Sequence, residues 1–218
     1  MNIRSLNYLF NITADLHKKI YFVSVVFLSM VSGLQAQVGN AVEGQQKAIS
    51  CSACHGADGN SMMGDWPSLA GQHESYLITQ ITAMRDGLRV NLLMAPFVAG
   101  LSDEDIIDLS AYYASQALQP KTTNSSFVIQ GQNIYLSGDP SRNLPACTSC
   151  HGPDGKGNPF SGYPSLAGQH ASYTEIQLNA YASGTRKTIG NVQIMYDIAS
   201  LLSSEEIEAV SNFVQGLR

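Results

Sequence analysis

The chain has 218 residues, a formal net charge of −5, 44% hydrophobic and only 13% charged residues. An acidic body of this kind repels nucleic acid and anionic membranes, and it suits a partner with a basic docking face. The plainer reading of the same charge is a solvated acidic surface.

At the start of the chain, Lys18 and Lys19 precede an apolar run from Ile20 to Met30, followed by Val31-Ser32-Gly33-Leu34-Gln35-Ala36. This order reads as a signal peptide over 1–36, cut after Ala36, although Leu34 is not an ideal residue three before the cut. The rival is an uncleaved membrane anchor, but the run is barely long enough to span. In either case the remainder is exported. It holds nine basic and sixteen acidic residues, net −7, of which 37–121 contribute −5 and 122–218 contribute −2.

A helix is predicted from Ala41 to Ser50, and Cys51-Ser52-Ala53-Cys54-His55 follows it directly. A second helix, Phe127 to Leu136, precedes Cys147-Thr148-Ser149-Cys150-His151, and these two pentads use every cysteine in the chain. C-x-x-C-H is the attachment signature of c-type haem. Cysteines three apart share one face of a helical turn, so both can form thioethers to one porphyrin edge. The histidine that follows reaches the iron from the same side. Each pentad continues into a turn, Gly56-Ala57-Asp58-Gly59 or Gly152-Pro153-Asp154-Gly155. The alternatives are a four-cysteine zinc site, which leaves both histidines idle, a thioredoxin-like pair without its βαβ frame, and ordinary disulfides.

Further along, Pro67-Ser68-Leu69-Ala70-Gly71-Gln72-His73 returns letter for letter as residues Pro164 to His170. Asp86-Gly87-Leu88-Arg89 answers Ser183-Gly184-Thr185-Arg186, and Leu101 to Ile106 answers Leu202 to Ile207. The mature chain is thus an internal duplication. Ile106, Leu109, Tyr113 and Ile207, Val210, Val214 recur at helical spacing, and Ser102 with Asp105 and Ser203 with Glu206 form capping boxes. No long strand alternation accompanies them. The expected fold class is all-α, with domains at 37–117 and 127–218 joined by a polar linker, 118–126. Each half is small for an independent core, so haem would supply the missing interior.

The second axial ligand decides the chemistry of each iron. The second half has a single methionine, Met195, which stands twelve residues before Ile207, as Met94 stands twelve before Ile106. Repeat symmetry therefore favours Met94 over Met62, Met63 and Met84. Both methionines could instead be core gap-fillers. The duplicated His73 and His170 are rival ligands, or they sit in a turn or near a propionate and hydrogen-bond locally. Trp66 and Tyr163 are expected to pack on the ring or bond a propionate.

These residues together resemble the dihaem cytochrome c4 family: the doubled C-x-x-C-H, the doubled Pro-Ser-Leu-Ala-Gly-Gln-His, Met94-Ala95-Pro96 and Met195-Tyr196-Asp197-Ile198-Ala199. The resemblance covers essentially all of the chain after the leader. It implies two tandem class I cytochrome c domains with two covalent haem c groups held by Cys51, Cys54, Cys147 and Cys150. His55 and Met94 would bind one iron, His151 and Met195 the other. Pro67 and Pro164 would orient the histidines through their carbonyls. Gly44 and Gly131 match the small residue where the first helix crosses the last, with Tyr113 and Phe213 as the aromatics there.

By the same resemblance the protein carries electrons in the periplasm, free or held on the outer face of the inner membrane. It would take them from a quinol-oxidising complex and pass them towards a haem-copper terminal oxidase. An enzyme would need a displaceable ligand and catalytic groups, and no acid–base cluster or spare cysteine accompanies the motifs. A third reading is a tethered subunit of a larger oxidase. The stretch from His170 to Met195 is four residues longer than that from His73 to Met94, and Asp197 replaces Pro96, so the two haems are expected to differ in exposure and potential.

Overall fold

The computed structural model describes residues 38–186 and 191–218, and Val38–Arg218 forms one compact unit. The leader assigned to 1–36 lies outside the described residues. Among the described residues no helix is long and apolar enough to cross a membrane. No named strand forms there either, and the backbone pairs only at two isolated antiparallel bridges, Asp139 with Leu144 and Asn158 with Tyr163.

The first half runs through α1 (Ala41–Lys47), α2 (Ser52–His55), α3 (Glu74–Arg85), α4 (Ala95–Val98) and α5 (Asp103–Ala114). The second half repeats the order with α6 (Val128–Ser137), α7 (Thr148–His151), α8 (Ala171–Ala182), α9 (Val192–Ala199) and α10 (Ser204–Gly216). Both anticipated capping boxes are present. Ser102 accepts from the Asp105 N–H at 3.1 Å while Asp105 accepts from the Ser102 N–H at 3.0 Å. Ser203 and Glu206 do the same at 3.3 and 2.8 Å. Each such cap contributes about 1 kcal/mol by satisfying amides that have no partner within the helix. Carboxylates fill the first turns of α5 and α10, where the helix dipole favours them.

In each half the first helix crosses the last at a glycine. A Cβ on Gly44 would lie 2.0 Å from the Asp108 carbonyl oxygen, and one on Gly131 would lie 2.2 Å from that of Ala209. Backbone against backbone leaves nothing that can yield, so these positions accept no side chain. The aromatics that close on the glycines are Tyr112 and Phe213, both through their Cβ atoms. Phe213 is as expected, but Tyr113 is not its counterpart. One residue further round the helix, Tyr113 points into the interior and is 1% exposed.

The two cores solve one packing problem in opposite ways. The first cluster contains Ala48, Leu77, Leu109, Tyr112 and Tyr113, and the second contains Ile134, Tyr135, Leu144, Val210 and Val214. In repeat register Ala48 corresponds to Tyr135 and Tyr113 to Val214. A tyrosine thus comes from the last helix in one half and from the first helix in the other. Such volume-conserving exchange preserves interior density.

The halves are laced together by the repeated heptapeptide. The Gln72 side chain donates to the Ser165 carbonyl and accepts from the Ser165 amide, both at 2.9 Å. Gln169 does the same to Ser68, again at 2.9 Å both ways. His73 donates from Nε2 to the Lys156 carbonyl at 2.7 Å, and His170 donates to that of Ser61 at 2.9 Å. The local turn expected of these histidines is therefore a contact across the halves. The segment 118–124 has no regular structure, yet it is pinned rather than loose. Lys121 donates to Ser68 Oγ at 3.1 Å and the Gly168 carbonyl at 2.7 Å, and Thr123 donates to the Asn212 carbonyl at 2.7 Å.

Candidate haem centres

Each C-x-x-C-H pentad occupies a single helical turn. Cys51 and Cys147 precede α2 and α7, whose last residues are His55 and His151. The His55 and His151 amides each donate to the carbonyl of the first cysteine at 3.0 Å, which brings the pentad ends together. Gly56 (φ 79°) and Gly152 (φ 75°) then turn the chain sharply away, a backbone conformation that disfavours any other residue.

His55 Nδ1–H donates to the Pro67 carbonyl at 2.9 Å and His151 Nδ1–H to the Pro164 carbonyl at 3.0 Å. Both rings are 6% exposed. These bonds fix the tautomer and leave each Nε2 lone pair free, as an imidazole ligand requires. Burial pushes both imidazoles below the ordinary histidine pKa, and the proline carbonyl only partly opposes it. Each ring is therefore held neutral.

One continuous cavity of about 790 Å³ is walled by both halves. All four cysteines, both pentad histidines, Pro67, Pro164, Met94 and Met195 line it. Met94 stands immediately before α4, and Met195 lies within α9. Met62 and Met63 are 91% and 55% exposed and lie outside that wall. Met84 does line it, but its repeat counterpart is Tyr181, so only Met94 and Met195 occur as a pair. His73 and His170 are outside the wall, with Nε2 already engaged across the interface. Trp66 and Tyr163 line the cavity, and the Tyr163 ring centroid is 6.2 Å from that of His151. Of the four extra residues between Arg186 and Met195, the stretch 187–190 falls outside the described residues.

The alternatives weaken against this arrangement. The four thiols are not joined to one another. Among the described residues no three His, Cys, Asp or Glu side chains gather as a metal cluster. The residues fit a porphyrin in each half: paired thiols and an oriented imidazole on one wall, a thioether sulfur on the same cavity, and apolar side chains such as Leu69, Leu109, Val210 and Val214 around them.

The charged lining includes two residues that had no role in the sequence reading. Arg89 and Arg186 are each 8% exposed and both line the cavity. Their signal was the duplicated Gly-x-Arg, visible as a repeat but silent about burial.

A family model for cytochrome c matches residues 41–117 and again 128–218. Cytochrome c4 of Pseudomonas aeruginosa is 43% identical over 195 residues, which cover 89% of this chain and 97% of that protein. A protein of Stutzerimonas stutzeri described as thiosulfate dehydrogenase electron acceptor is 36% identical, covering 91% of this chain and 94% of its own. The crystal structure of reduced recombinant cytochrome c4 from Pseudomonas stutzeri superposes with a TM-score of 0.81 at 39% identity, covering 83% of this chain and all of that one. With two matched domains, each carrying its own C-x-x-C-H turn, the chain belongs to the cytochrome c family, within the dihaem cytochromes c4, and is an electron carrier with two covalently bound haem c groups.

Proposed function

We propose that Cys51 and Cys54 hold one haem and Cys147 and Cys150 the other, with His55 and Met94 as axial ligands of the first iron and His151 and Met195 of the second. The domains are 37–117 and 127–218, with 118–126 between them. The observation that carries this reading is the repeated arrangement of a proline-oriented imidazole and a methionine on the wall of one cavity. When bound, each haem supplies a reversible one-electron change at its iron. The chain's own residues do the rest. Pro67 and Pro164 aim the imidazoles, Met94 and Met195 would hold each iron through their sulfurs, and the apolar walls would exclude water and favour the less charged reduced state.

With both axial positions filled, the protein does no bond chemistry and acts as a carrier in a periplasmic respiratory chain, from a quinol-oxidising donor towards a haem-copper oxidase. A second reading has support in the similarity to the thiosulfate dehydrogenase electron acceptor: a sulfur-oxidising dehydrogenase is the donor. Stopped-flow reduction of the oxidised protein by each donor class separates the two. The test of the ligand set is the visible and near-infrared spectrum during a redox titration. Two methionine–iron charge-transfer bands and no carbon monoxide binding are expected. High-spin features or carbon monoxide uptake in the reduced protein would overturn the carrier reading.

A further inference from the structure

Among the described residues the buried side-chain polar atoms without a hydrogen-bond partner are Ser110 Oγ, Tyr113 Oη, Arg186 Nε and Ser211 Oγ. Ser110 and Ser211 are repeat counterparts and lie outside the cavity wall. Arg186 is engaged through its other nitrogens, which donate to Gln177 Oε1 at 2.8 Å, Tyr76 Oη at 2.9 Å and Gln80 Oε1 at 3.0 Å. Tyr113 differs from all three. It lines the cavity, it is 1% exposed, and its one side-chain polar group is unengaged.

The other two core tyrosines have their hydroxyls committed. Tyr112 donates to the Ala57 carbonyl at 2.6 Å and Tyr135 to the Gly152 carbonyl at 2.7 Å. Each half therefore already has one tyrosine holding the turn after its pentad. Tyr113 is additional, and in the second half its place is taken by Val214, which lines the cavity with no polar side-chain atom. A hydroxyl buried without a partner is unfavourable, so this one calls for an acceptor that the folded chain does not supply.

Cys51 packs against the core cluster that holds Tyr113, and both line the same wall. Burial, and after it the neighbouring Cys51, raise the hydroxyl above the ordinary tyrosine pKa, so it stays a donor. Attachment replaces the Cys51 S–H by a bond to a porphyrin side-chain carbon, with the hydrogen passing to the adjacent carbon. The sulfur then can only accept. Resting on the haem assignment above, we infer that the Tyr113 hydroxyl donates a hydrogen bond to the Cys51 thioether and so sets the first haem's potential apart from the second's. The bond draws electron density out of the porphyrin and favours reduced iron. In the second half Tyr163 stands beside Cys150 rather than Cys147, and it is only half-buried, so water competes for its hydroxyl.

The test is a potentiometric titration of holoprotein Tyr113→Phe beside Tyr112→Phe, with haem content counted by mass spectrometry. Tyr113→Phe removes one oxygen and keeps the ring, so the core stays filled. It is expected to lower one midpoint potential and leave the other unchanged. Tyr112→Phe is expected to lower stability with both potentials unchanged, which separates tuning from a packing role. Added Met94→His identifies the responding haem, since the fall must appear in the component that this substitution displaces. Resonance Raman reads the bond itself: one carbon–sulfur stretch is expected to move in Tyr113→Phe. A fall in the other component, equal falls in both, no fall in a protein with two haems, or a fall with unmoved carbon–sulfur bands would overturn the inference. A wild-type protein without covalent haem, or Met94→His that displaces neither potential, would sink the underlying assignment and the inference with it.

Discussion

The two halves of this protein are one plan executed twice, and they differ in how each core is filled and in the ion pairs that hold the last helix. The pentads, the proline carbonyls, the methionines, the interface glutamines and the buried arginines are the same in both. The tyrosine that fills each core comes from a different helix. The ion pairs that tie the last helix down also differ. Lys47 bonds Asp105 at 2.8 Å and Asp108 at 2.7 Å in the first half, whereas Arg142 bonds Asp139 at 2.7 Å and Glu206 at 2.6 Å in the second. Cofactor geometry tolerates little change, but interior volume and surface charge can be met by several side chains.

The comparison can be broken at its most rigid point first. Met195→His is expected to lower one haem's potential markedly and leave the other nearly unchanged, and Met94→His should do the reverse. A redox titration in which neither potential moves would remove that methionine from the ligand set. Gly44→Ala and Gly131→Ala should be almost equally damaging, each by about 3 kcal/mol or more, because the new Cβ meets a carbonyl rather than a movable side chain. Thermal unfolding of the holoproteins checks this, and a tolerated substitution in one half alone would show that the crossings are not equivalent.

The core exchange is open to a direct test. Tyr113→Val should cost roughly 2–3 kcal/mol by leaving a void, since Ala48 cannot fill it. Adding Ala48→Tyr, the arrangement of the second half, should recover part of the loss in a double-mutant cycle. Additive losses would mean that the two clusters are not interchangeable. Smaller again, Tyr112→Phe and Tyr135→Phe should each cost about 1 kcal/mol, through loss of the bonds to the Ala57 carbonyl at 2.6 Å and the Gly152 carbonyl at 2.7 Å.

The weakest effect concerns acid. Lys47, with the Asn40 amide, holds the Asp108 carboxyl below the usual range, and Arg142 does the same for Glu206. A carboxyl with a depressed folded pKa contributes stability above its unfolded pKa and loses it as the pH falls towards the folded value. Lys47→Gln and Arg142→Gln should each move the acid-unfolding midpoint upward. The shift should shrink in high salt, because both cations are partly exposed.

Much of the site was legible because covalent attachment demands residues adjacent in the chain. Cys51, Cys54 and His55 form one turn, so their pattern survives as a string of letters. The proposed ligand Met94 stands out from the other three methionines of the first half only through duplication. Capping boxes were readable because they span a few residues. The assignment of Tyr113 to the helix crossing failed by one position, about 100° of helix rotation, which a periodic pattern with broad apolar faces does not resolve. His73 and His170 were visible as a repeat, but their partners, Lys156 and Ser61, lie far away in sequence and are backbone carbonyls, which carry no residue signature.

Local chemistry therefore determined the cofactor number, the proposed attachment points, the helical class and the two-fold repeat, because each rests on contacts between near neighbours in the chain. Only the tertiary structure decided that the linker is pinned, that the repeated heptapeptide joins one half to the other, and that Arg89 and Arg186 meet in one cavity. The reason is that burial and pairing depend on which distant segments come together, and an arginine in a duplicated turn looks the same in sequence whether water or the opposite half surrounds it.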